Sequence, residues 1–94
     1  MSAIMVFVSS GSDEQVIDAL EFMARHVNGA LAVRIGKDIG RWNSLGPHEK
    51  LVMFRFHRSA CFAAAPLLRS KDRISHAEEA LANESKASSS LGLG

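Results

Sequence analysis

The chain has one cysteine, two prolines and no tyrosine, and its charge is nearly balanced. A lone thiol, Cys61, excludes an intramolecular disulfide, and with four histidines scattered along the sequence it makes no zinc-binding pattern. A reducing compartment is the expectation. No stretch approaches the roughly 18 consecutive apolar residues of a membrane span. The first residues lack the basic flank of a signal peptide, and their apolar run ends by Val8, so none is expected. Internal repeats are also missing. These absences point to a cytoplasmic protein with no membrane partner, no cofactor and no metal.

What is present is an ordinary globular composition. Ninety-four residues, 47% apolar and 22% charged, make one domain with a single core. The net charge of +1 hides a basic middle between two acidic ends. Residues 1–33 set Asp13, Glu14, Asp18 and Glu21 against Arg25. Residues 34–73 set nine Lys and Arg against Asp38, Glu49 and Asp72, and the remainder is acidic again through Glu78, Glu79 and Glu84. Such an asymmetry suggests an anionic partner for the middle. The opposing reading pairs those cations with the acidic stretch of residues 13–21.

Local patterns give an order of elements. Ala3 to Ser9 is a short apolar run closed by Ser9-Ser10-Gly11, which favours a buried strand. Ser12 with Gln15 signals a helix start, and Val16, Leu20, Met23 and Val27 follow at helical spacing to Asn28-Gly29. Leu31, Val33 and Ile35 alternate as a second strand. Gly36 to Pro47, with three glycines, reads as a loop. In Lys50 to Arg58, Val52, Phe54 and Phe56 alternate as a third strand. A helix from Pro47, with Glu49 in its first turn, is the opposing reading. Ser59 to Leu68 suits a helix that Pro66 kinks or ends. Asp72 to Asn83 suits another, with Ile74, Ala77 and Leu81 on one face. The domain is placed at residues 1–84, with residues 85–94 as a flexible Ser/Gly-rich tail.

This order predicts an α+β fold, a small ferredoxin-like βαββα sandwich. It would have a three- or four-stranded antiparallel sheet and two or three helices. Val6-Phe7-Val8 in the first strand, Lys37, Gly40 and Arg41 in the loop, and Phe54-Arg55-Phe56 running into SACFAAAPLL carry a likeness. Over about Ala3 to Leu68 the chain resembles the RNA-recognition motif. That resemblance implies base stacking on the sheet face. Leu51 and Met53 stand where the third-strand aromatics would, so Phe7 is the stacking residue carried over, with Arg55 beside it.

The other chemistry-bearing residues have simpler explanations. Ser9-Ser10-Gly11-Ser12 serves as a helix cap, since Asp13 and Glu14 would repel a phosphate there. His26, His48, His57 and His76 fall on separate elements, and His26 suits a helix C-terminus. Cys61 near Ser59 and His57 reads as a buried structural thiol. Glu78 and Glu79 are neighbours on a helix and do not face each other.

No constellation supports catalysis. The sequence therefore predicts a non-enzymatic module contacting RNA or single-stranded nucleic acid. Arg34, Lys37, Arg41 and Arg55 would meet phosphates, and Phe7 and Trp42 would stack. The alternative is a protein-interaction module, such as a small inhibitor, adaptor or assembly subunit. It would dock a protein partner or a second copy through an apolar sheet face of Met5, Phe7, Leu51 and Met53.

Overall fold

A computed structural model describes the backbone of residues 2–93 and the side chains of residues 13–86. Four α-helices span α1 (Ser2–Arg25), α2 (Gly29–Gly40), α3 (Pro47–Ala64) and α4 (Asp72–Leu93). Single 3-10 turns at Trp42–Ser44 and Pro66–Ser70 link α2 to α3 and α3 to α4. Among the described residues there is no strand. The α+β expectation is thereby overturned, and with it the ferredoxin-like sandwich and the resemblance to the RNA-recognition motif. The fold is small and all-α. No helix among the described residues is long and apolar enough to cross a membrane.

The second and third expected strands fail for the same reason. Short apolar runs satisfy a period of 2 and a period of 3.6 together, and burial shows which one the chain uses. In the expected second strand, Val33 should share the inner face with Leu31 and Ile35. Instead Val33 is 58% exposed, while Ile35 and Asp38 are buried and Leu31 and Ile39 pack partly against the core. In the expected third strand, Val52 and Phe56 should lie inward with Phe54. Both stand half-exposed, and the buried positions are Lys50, Leu51, Phe54, His57 and Cys61, a helical series. The helix that begins at Pro47 is the correct assignment. Glu49 Oε1 accepts the Gly46 N–H at 2.9 Å, one half of a capping box. The apolar run at residues 3–9 is helical too, and Gly11 lies inside α1 rather than ending an element.

Other signals hold. Val16, Leu20 and Met23 are fully buried on α1, as are Ile74 and Ala77 on α4, with Leu81 nearly so. Gly29 has φ of 64°, a left-handed conformation in which glycine is at ease, and it turns the chain from α1 into α2. Pro66 lacks an N–H to continue α3, and the backbone breaks at Ala65. α4 continues past Asn83 through the Ser/Gly-rich segment to Leu93.

α1 packs on α2 and α4, and α3 packs on α4. The core runs between them through Leu20, Met23, Ile35, Phe54, Cys61, Leu68, Ile74 and Leu81. Trp42 joins it from the 3-10 turn, 1% exposed. Its indole N–H points to Asp13 Oδ1 at 3.4 Å, and the same oxygen accepts from Lys50 Nζ at 3.2 Å. The Lys50 ammonium also lies 5.4 Å from the Trp42 ring. One carboxylate on α1 thus ties down both the turn and the first turn of α3.

A candidate docking groove between α2 and α3

On α2, Arg34, Lys37 and Arg41 recur at intervals of three and four, which places them along one side of the helix. On α3, Val52 and Phe56 are one turn apart and point outward, 54% and 52% exposed. The Arg34 guanidinium lies 5.2 Å above the Phe56 ring, so the two helices meet there through a cation–π contact. At the other end, Arg41 lies near Leu45, His48 and Glu49 at the start of α3. Between these limits lies an open groove of about 480 Å³ with Asp38, Val52 and Met53 along it. A shallower depression of about 460 Å³ shares Arg34 and Asp38 and extends the surface over Val33 and Lys37.

Asp38 is the groove's anchor. Its carboxylate accepts from Arg41 Nε at 2.9 Å and from His57 Nε2 at 2.6 Å. Burial pushes its carboxyl pKa up, yet the hydrogen bonds from His57 and Arg41, with their charges, outweigh that and hold it below the ordinary value. The His57 ring is wholly buried, and its Nδ1 has no hydrogen-bond partner. The His57 ring is sealed from solvent, while Asp38 keeps an edge on the groove wall. The pair is a tie between α2 and α3.

Three of the six residues expected to bind nucleic acid therefore come together, and two do not join them. Arg34, Lys37 and Arg41 share the α2 rim. Arg55 turns toward α4, where its Nε lies 3.9 Å from Glu78 Oε2. Trp42, a stacking candidate in the sequence, is folded into the core and presents no stacking face. The side chain of Phe7 lies outside the described residues. The apolar sheet face does not exist: Leu51 is buried and Met53 half-buried on a helix, and the side chain of Met5 is outside the described residues.

The basic middle is largely neutralised from within. Lys50 pairs with Asp13, Arg73 with Asp18 at 3.5 Å, Arg58 with Glu78 at 2.6 Å, and Arg41 with Asp38. These pairs join the basic segment to both acidic ends and to its own Asp38. Among the described residues, Arg34 and Lys37 are the groove cations with no carboxylate partner.

Sequence reasoning missed Asp38, His57, Val52 and Phe56 as parts of this site. A helical wheel over residues 47–64 would have found the three on α3, because Leu51, Phe54, His57 and Cys61 then fall on one face and Val52 and Phe56 on another. His26 behaves as its helix-end position suggested, its Nδ1–H donating to the Phe22 carbonyl at 2.8 Å. Among the described residues, no three of His, Cys, Asp or Glu cluster as a metal site.

No known protein family, curated protein or solved structure matches this chain. The groove's own geometry therefore carries the functional argument.

Proposed function

We propose that this chain is a non-enzymatic protein-docking module whose α2–α3 face receives a segment of a partner protein. One observation carries the reading. Of the four large apolar side chains that stand exposed among the described residues, Val33, Val52 and Phe56 belong to this one continuous face, and only Leu67 stands elsewhere. Exposed apolar surface gathered around a groove marks an interaction site, whereas scattered single residues do not.

The distribution of charge favours a protein over a nucleic acid. Non-specific binding to a nucleic-acid backbone needs several free Lys and Arg along a track, since each displaces counterions. Here most of the middle segment's cations already have carboxylates. The Asp38–His57 pair, with its His57 ring wholly buried, holds the face's two helices in register.

Backbone amide spectra of the labelled chain provide the test. A displayed library of helical and extended peptides is selected against the chain, and the selected peptides are titrated in. Docking predicts saturable shifts confined to α2 and the first three turns of α3, lost in Val52→Asp. Single-stranded RNA or DNA shifting the same amides at low salt, with no peptide doing so, would replace this reading with the nucleic-acid one.

A further inference from the structure

We infer that the segment seated on the α2–α3 face is an acidic amphipathic helix, an inference that rests on the docking reading and specifies its partner. The face carries two stripes side by side. Arg34 and Lys37 stand on α2 and Arg41 follows directly at its C-cap, a run of roughly 10 Å at 1.5 Å per residue. Val52 and Phe56 form the apolar stripe on α3, with Met53 half-buried beside them. Because Arg34 sits over Phe56 and Arg41 lies by the start of α3, the cationic and apolar stripes run alongside each other.

The complement of such a surface is a helix. Apolar anchors at i, i+4 and i+7 would lie on Val52 and Phe56, and carboxylates one helical step around would meet the α2 cations. A segment docking by strand addition needs a sheet edge, and no strand is present among the described residues to offer one.

The charges on the face select the sign of the partner. Arg34 and Lys37 have no carboxylate of their own. Of the two acidic groups in the groove, Asp38 is engaged by Arg41 and His57. Glu49 is an exposed carboxylate confined to the start of α3, accepting the Gly46 N–H through one oxygen and lying away from the Arg34 and Lys37 end. A partner carboxylate would add a second acceptor to cations that are exposed and, in Arg34, pre-oriented by the Phe56 ring. A basic helix would meet like charge at three positions. Electrostatic complementarity of this kind sets specificity and association rate more than total affinity.

The experiment uses two synthetic 18-residue helical peptides that share one leucine stripe at i, i+4 and i+7. One carries Glu on the flank facing the cations, and the other carries Lys at the same positions. Binding to the full chain is read by fluorescence anisotropy and by amide shifts at low and moderate salt. The inference expects the Glu peptide to bind with shifts on α2 and α3, and the Lys peptide to bind at least about tenfold more weakly. The double change Arg34→Glu and Lys37→Glu, on exposed side chains and with unaltered circular dichroism, is expected to invert that preference. Equal binding of both peptides on this face overturns the acidic chemistry and leaves docking intact. If neither peptide shifts this face, the inference fails; if the library selection fails as well, so does docking. A concentration-dependent dimer that Val52→Asp dissociates would overturn the inference in favour of a second copy.

Discussion

His57 Nε2 lies 2.6 Å from Asp38 Oδ2, joining two polar side chains that the fold has buried between α2 and α3. Each removes the other's reason to seek water. Breaking such a pair from one side strands the survivor, whereas removing both is far cheaper. His57→Ala and Asp38→Ala should each lower stability by about 3 kcal/mol. Changing both residues to leucine should recover part of that loss. Urea unfolding of the parent, the two alanine variants and the double alanine variant closes a double-mutant cycle that measures the coupling. Strictly additive losses would show that the two residues do not interact.

The same contact sets an acid limit on the fold. Burial alone would raise the Asp38 carboxyl, but hydrogen bonds from His57 and Arg41 and their charges bring it below its ordinary value of 3.8. A carboxyl whose folded pKa is depressed contributes stability above its unfolded pKa and loses it as pH falls through the folded one. Asp38 should therefore support the fold fully at neutral pH and lose that support progressively as pH falls below 3.8 and through the lower folded value. Urea midpoints measured between pH 6 and pH 2 should show a steeper acid decline in the parent than in Asp38→Asn. Parallel declines would mean that other carboxylates set the limit.

This pair also explains where the sequence was legible and where it was not. The second half of α1 and the first turns of α4 could be read because Val16, Leu20 and Met23, and Ile74, Ala77 and Leu81, are apolar at every inward position. α2 and α3 place polar residues at inward positions, Asp38 on one and Lys50 and His57 on the other. That interrupts the helical stripe and leaves the alternating Leu31-Val33-Ile35 and Val52-Phe54-Phe56 as the more visible pattern. β-branched and aromatic content then tipped the balance, although such propensities describe a half-buried surface rather than the backbone itself. The proline boundaries at 47 and 66 were readable because they depend on local covalent geometry. The site was half legible: the cationic rim on α2 is plain in the sequence, while the apolar stripe beside it appears only once residues 47–64 are helical.

Cys61 should be chemically silent while the chain is folded. It is fully buried on α3, and burial pushes its thiol above the ordinary value. The thiolate is the reactive form, so both access and ionisation oppose modification. Labelling by a disulfide reagent should run roughly 10³-fold or more slower than for the unfolded chain, the factor following the free energy of opening. It should accelerate in step with urea. Prompt labelling in native buffer would show that the α3–α4 contact opens locally.

Trp42 supplies the last test, because its burial changes what its fluorescence reports. The indole is 1% exposed, points its N–H at Asp13 and lies under the Lys50 ammonium. Its emission should be that of a buried ring, and single-stranded oligonucleotides at low salt should leave it unchanged. Urea should shift it to the red as the turn leaves the core. Asp13→Ala removes the acceptor shared by Trp42 and Lys50, and Lys50 is itself almost wholly buried. It should cost about 1–2 kcal/mol, above the few tenths of an exposed ion pair, because an ammonium is left without its counter-ion. Trp42→Ala should cost about 3–5 kcal/mol through the cavity it leaves. If oligonucleotides quench Trp42 with a saturable, salt-sensitive response, the turn must leave the core on binding, and the basic middle regains its claim to a nucleic-acid partner.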